Sequence, residues 1–111
     1  MLGVKDKGIL LQIIKRCNRV AEKVVNVSET EFSLNDDIKE VVCFNLFQIG
    51  ELANGLSIEF IKEYNKIPWK QIIGMRNRIV HGYDTINFEI VWNTANESIP
   101  ELKSYCKEIL S

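Results

Sequence analysis

The sequence predicts an all-α protein, an antiparallel bundle of four main helices and one short one. Three observations carry that expectation. Apolar residues recur at helical spacing through every long segment, and no stretch alternates with period two. Asn, Asp, Ser, Pro and Gly, the residues that start and stop helices, fall between those segments. Only two prolines and six glycines occur in 111 residues, which leaves little room for long loops. The length suits one domain over 1–111.

Residues 5–26 read as the first helix, with Ile9, Leu10, Ile13, Ile14, Cys17, Val20, Ala21 and Val24 on one stripe. Residues 26–35 lose the period and are expected to connect. The second helix starts near Ser33 to Asp36 and runs to about Gly55, opened by Asn35, Asp36 and Asp37, whose charge suits a helix N-terminus. Ile38, Val42, Leu46, Ile49 and Ala53 form its main stripe. Phe44 and Phe47 widen it onto a second face, as in a helix that is central or has a partner outside the chain. Asn45 intrudes on the stripe, and Glu51 follows Gly50 within it. Ser57 is placed to cap a short helix over 58–64.

A fourth helix is expected from Pro68, in its first turn, to about His81. Trp69, Ile72, Ile73, Arg76, Ile79 and Val80 share its stripe, which puts Arg76 on the apolar side. Gly82 fits a left-handed helix-ending position. Asn87 is placed to cap the last helix, about 88–110, with a kink or break near Ser98–Pro100 where proline removes a backbone bond.

Net charge is −1, but its distribution alternates. Residues 1–28 carry six Lys/Arg against Asp6 and Glu22. Residues 29–61 carry seven acids against Lys39. Residues 62–82 carry five Lys/Arg against Glu63. The last of these is a local basic segment. It can attract phosphate, or it can merely solvate an exposed face. Cys17, Cys43 and Cys106 form no C-x-x-C pair, and one His is too few for a Cys/His metal cluster, so no metal and no cofactor is expected. The cysteines read as small buried hydrophobes. No apolar run approaches membrane-spanning length, and the N-terminus is a poor leader, so a cytoplasmic home is expected.

The chemistry concentrates in Gly74–Tyr83, which holds the sole His and two Arg within five residues of it. His81 can move a proton near neutral pH. Arg76 can hold a phosphate bidentately and balance charge building on phosphorus. Such a pair suits RNA cleavage by the 2′-hydroxyl, which needs neither a metal nor a protein nucleophile. Five residues along a helix is about 140° of rotation, so Arg76 and His81 diverge on one regular helix. Either His81 swings round at the helix end or a second subunit completes the site. The residue types alone favour a plainer reading: His81 caps a helix end and Tyr83 packs over the turn.

Met75-Arg76-Asn77-Arg78-Ile79-Val80-His81-Gly82-Tyr83 resembles the R-x4-H-x-Y motif of HepT-like toxins, a branch of the HEPN ribonuclease superfamily. Ile49-Gly50-Glu51, Ile67-Pro68-Trp69 and Gly74-Met75-Arg76-Asn77 resemble the family's IGE, IPW and GMRN pieces, and the resemblance spans about residues 36–105. It implies a HEPN bundle that forms a homodimer with the two motifs at a shared cleft, and metal-independent endoribonuclease activity on an RNA substrate. Arg76 and His81 match the catalytic pair and Asn77 the polar residue beside it. Tyr83 matches the tyrosine that a minimal nucleotidyltransferase antitoxin of the MntA type modifies with AMP. Glu51 recurs in the family, and a role in orienting or neutralising Arg76 is expected for it. Two other functions compete: a non-catalytic helical partner of a nucleotidyltransferase, and a regulator that binds RNA without cutting it.

Overall fold

A computed structural model describes residues 2–111. Every regular element among the described residues is helical: α1 (Val4–Val24), α2 (Glu29–Leu34), α3 (Asp36–Asn54), α4 (Ile58–Glu63), α5 (Trp69–Gly82), α6 (Phe88–Asn93) and α7 (Ile99–Leu110). A 3-10 turn, Tyr83–Thr85, follows α5, and a π turn, Thr94–Ser98, joins α6 to α7. None of these helices is long and apolar enough to cross a membrane.

The core lies where α1, α3 and α7 meet. Leu10, Ile13 and Val20 of α1, Val42, Leu46 and Ile49 of α3, and Leu102 and Cys106 of α7 are shut off from solvent. Burying each such side chain is worth about 1.5–3 kcal/mol, so this stripe-to-stripe contact is what sets the order of the bundle. All three cysteines are buried and free. Burial pushes the Cys17 and Cys106 thiols up to about 12 and the Cys43 thiol up to about 11.

Two polar groups enter this core, each with partners. Asn45 accepts from Arg16 Nη1 at 3.3 Å and donates to the Val41 carbonyl at 2.8 Å, which explains an amide on an apolar stripe. Asp6 accepts from the Ser57 backbone N–H at 2.9 Å and from Ser57 Oγ at 2.7 Å. Ser57 Oγ in turn accepts from Phe60 N–H, capping α4. The first turn of α1 is thereby tied to the cap of α4, 51 residues further along the chain.

Several sequence expectations need correction. The segment expected to connect over 26–35 contains α2. Ser28 and Glu31 close a reciprocal capping box, and Phe32 buries its ring 5.2 Å from that of Trp92. Asn26, at φ 60°, makes the left-handed turn that ends α1. Pro68 precedes α5 rather than sitting in its first turn, and its carbonyl accepts from Gln71 and Ile72. The final helix shows no break at Pro100. The missing N–H is absorbed one turn earlier, where the ladder widens and Ile99 N–H reaches back to the Thr94 carbonyl. Gly82 is not left-handed, with φ −148°. Thr85 Oγ1 donates to its carbonyl at 2.9 Å, and a Cβ on Gly82 would lie 2.9 Å from that same oxygen. Glycine is used there for closeness, not for handedness.

Candidate active site on α5

α5 is entered through an aromatic corner. Trp69 Nε1 donates to the Tyr64 carbonyl at 2.9 Å, and the rings of Phe60 and Trp69 lie 5.7 Å apart. From this anchor the helix crosses α3 at Gly50. A Cβ there would come within 3.0 Å of the Ile72 carbonyl and 3.1 Å of Arg76 Cβ. The missing side chain lets the two backbones close up, and it seats the base of Arg76 directly on α3. One residue further along α3, Glu51 Oε1 accepts from Arg76 Nη1 at 2.7 Å. The guanidinium is only 27% exposed and the carboxylate 45%. Ile49-Gly50-Glu51 therefore supplies a core residue, a seat and a counter-charge in succession.

His81 is solvent-exposed in the last turn of α5. It lines a hollow of about 390 Å³ together with Asn77, Ile79, Asn87 and Ile90. Asn77 and His81 are four apart and share a face. Arg76 does not border this hollow. Within one chain the Arg is turned onto α3 and the His onto the groove beside α6. A single subunit thus brings together Arg76 with Glu51, and Asn77 with His81, as two separate pairs. Val80, placed by its spacing on the buried stripe, is 56% exposed, because α3 reaches only one flank of α5.

Tyr83 stands just past α5 on the 3-10 turn, its ring edge-on to Phe88 at 5.9 Å. Burial raises its phenol above the ordinary value, with further upward pushes from Cys43 and from the carboxylates of Glu40, Asp36 and Asp84. On the other side of this cluster Lys39 Nζ lies 4.6 Å from the Phe88 ring centre, donates to the Ser33 carbonyl, and pairs with Asp36 at 3.3 Å. Sequence reasoning missed Phe88, Glu40 and Lys39 here. They are distant in sequence from Tyr83 or lie on another helix, and no local pattern joins them. The seat at Gly50 was partly legible, since a glycine inside an apolar helical stripe signals a close approach.

An all-helical bundle with an Arg–Glu pair seated on a glycine and an exposed His at the end of the same helix defines a narrow class. The model of the HepT-like family, described as "Ribonuclease HepT-like", matches residues 11–109. This chain belongs to that family, within the HEPN superfamily. Its relatives include a "Putative RNase" of Caldanaerobacter subterraneus subsp. tengcongensis, 36% identical over 101 residues, which are 91% of this chain and 90% of that one. The "Probable ribonuclease HepT" of Thermococcus cleftensis is 33% identical over 97 residues, 87% of this chain and 88% of that one. A "Putative RNase" of Methanocaldococcus jannaschii is 30% identical over 97 residues, 87% of this chain and 89% of that one. No solved structure matches at a significant level.

Proposed function

We propose that this protein is the endoribonuclease toxin of a type VII toxin–antitoxin pair and cuts RNA without a metal. The observation that carries the reading is the Arg76–Glu51 pair at 2.7 Å, which fixes a guanidinium on α5 five residues before an exposed His81. Family membership supports it. In the reaction the 2′-oxygen of RNA attacks the adjacent phosphorus, the bond to the 5′-oxygen breaks, and a 2′,3′-cyclic phosphate remains. His81 moves the proton between the two oxygens. Arg76 meets the charge that builds on the phosphoryl oxygens, and Glu51 holds it in place. Asn77, on the face of His81, positions the phosphate.

The two pairs diverge within one subunit, so the site takes Arg76 from one protomer and His81 from its partner across a two-fold axis. Exposed Val80 and Phe44 are the apolar surface such a homodimer would cover. Tyr83 is the switch. A minimal nucleotidyltransferase transfers AMP from ATP to the Tyr83 oxygen and releases pyrophosphate. The product puts bulk and negative charge beside the cleft and repels RNA. A phenol at its ordinary pKa of about 10 is already protonated near neutral pH, so the transferase has to supply the base.

Purified protein should cut RNA in EDTA, and Arg76→Ala and His81→Ala should each slow cleavage about 10²–10⁴-fold. Cleavage that survives in both variants would remove them from the mechanism. Mixing the two inactive variants under conditions of subunit exchange should restore part of the activity, since each mixed dimer regains one Arg/His site. No recovery despite proven exchange rules out the two-subunit site. Co-expression with the transferase should add one AMP at Tyr83. Tyr83→Phe should block that addition and leave cleavage intact.

A further inference from the structure

α5 borders a trough on the flank that faces α6 and α7. Near the start of α5 lies a hollow of about 340 Å³ between Gln71 and Ile72 on one side and Leu102 and Tyr105 on the other. The second hollow is the one lined by His81. They are adjacent, with Met75, Arg78 and Thr94 bordering both. Together they extend along α5 from His81 to Tyr105.

Its chemistry is mixed in a particular way. The floor is apolar, from Ile72, Met75, Ile99 and Leu102, and a phenol ring closes one end. Exposed Arg78 stands at the midpoint, where the two hollows join. The far wall is the π turn, whose Thr94 and Ser98 both face in. The helix leaves regular geometry at the place where it borders the trough, a pattern frequent at functional sites. Exposed Glu101 also lines the first hollow, so the phosphate contact falls to Arg78 at the junction and the base contact to the apolar floor, and single-stranded RNA is read by stacking of this kind.

We infer that the trough between α5 and the Thr94–Ser98 turn holds the RNA strand flanking the cut, with a nucleobase over Met75 and a backbone phosphate on Arg78. The assignment rests on the ribonuclease reading, and its continuity with His81 is what singles out RNA as the occupant. Arg78 is then a positioning residue for substrate, distinct from Arg76, which faces α3.

The chain has two methionines, Met1 and Met75. Protein carrying [13C-methyl]methionine thus places a reporter in the trough at Met75. Titration with a short, fully 2′-O-methylated oligoribonucleotide, which has no 2′-hydroxyl to attack, should shift the Met75 methyl signal saturably. Arg78→Gln, and separately Thr94→Trp to fill the trough, should each weaken binding about tenfold, the size of one lost base or phosphate contact. In cleavage of natural RNA, Arg78→Gln should raise KM while kcat stays within about twofold, since binding alone is lost. A Met75 signal that stays still at saturating RNA overturns the assignment, as does wild-type KM in Arg78→Gln. Failure to bind the probe by protein that cuts natural RNA overturns it too. A responding Met75 in a protein that cuts nothing keeps the trough and removes the ribonuclease reading. Neither binding nor cleavage removes both.

Discussion

Where α1, α3 and α7 meet, Leu10, Ile13, Val20, Val42 and Cys106 are wholly shielded from solvent; along the fourteen residues of α5, only Trp69 is buried. The same amphipathic pattern underlies both regions, yet the outcome differs. α1, at the centre of the core, packs against both α3 and α7. α5 has one substantial helical partner, α3, and on its other flank the chain leaves a trough instead of closing against α6 and α7. The core is held by area and the edge by geometry: a glycine seat, one ion pair and an aromatic corner. An element held this way keeps its polar side chains at a surface, where a substrate can reach them. The half-exposed Arg76–Glu51 pair contributes little to stability in solvent, so its value lies in where it holds the guanidinium.

The largest separation between the regions should come from alkali. An unfolded thiol ionises near its ordinary pKa of about 9, whereas the folded Cys17 and Cys106 thiols are held at about 12 and Cys43 at about 11. Over that interval the unfolded chain has lost protons that the folded chain still keeps. Stability that is complete below pH 9 is therefore lost as pH rises toward 12. Thermal melts from pH 7 to 11 should show a falling midpoint above pH 9, and the thiols should resist alkylation in the native state at pH 8. Rapid native alkylation would mean the core is looser than the contacts around these cysteines imply.

A narrower test strikes the seat. Gly50→Ala puts a methyl 3.0 Å from the Ile72 carbonyl and 3.1 Å from Arg76 Cβ. α5 must then lift off α3, at about 1–3 kcal/mol by the usual cost of overpacking. RNA cleavage should fall more steeply than the melting midpoint, because the same methyl displaces Arg76. Equal losses, or none, would show that the position of Arg76 is set by something other than this crossing.

The smallest expected change has the opposite sign. A Cβ on Gly74 would meet nothing within 4 Å. Gly74→Ala should therefore stabilise α5 by about 0.5–1 kcal/mol, through the backbone entropy glycine gives up in a helix. Denaturant unfolding of the isolated protein would read this. Destabilisation would show that a second surface comes close to the helix at that point.

The all-helical class, the caps at Asn35, Ser57 and Asn87, and the placement of Arg76 on the inner side of its helix were legible in the sequence, because each depends on residues within a turn or two. α2 carried a readable signal, the Ser28–Glu31 capping box, that the loss of apolar period masked. A six-residue helix is too short to show that period. The disruption was expected near Ser98–Pro100, and the structure puts it at Thr94–Ser98, one turn earlier, since the bond proline cannot make belongs to the preceding turn. The family motifs named Arg76, His81 and Tyr83 as a group. Their five-residue spacing already set Arg76 and His81 about 140° apart on a regular helix. That Phe88 and Lys39 surround the approach to Tyr83 was not legible, because it depends on how helices far apart in sequence settle on one another.

The pairing of α1 with α7 has a consequence for how the protein comes into being. α1 is completed by α7, and the side of α1 that α7 covers has nothing to rest on until Ile99–Leu110 has left the ribosome. The motif helix is translated well before that, on a chain whose core is still open. A prematurely ended product would carry Arg76 and His81 with no finished framework to hold them. The motif helix would then gain its finished framework only once α7 has closed on α1.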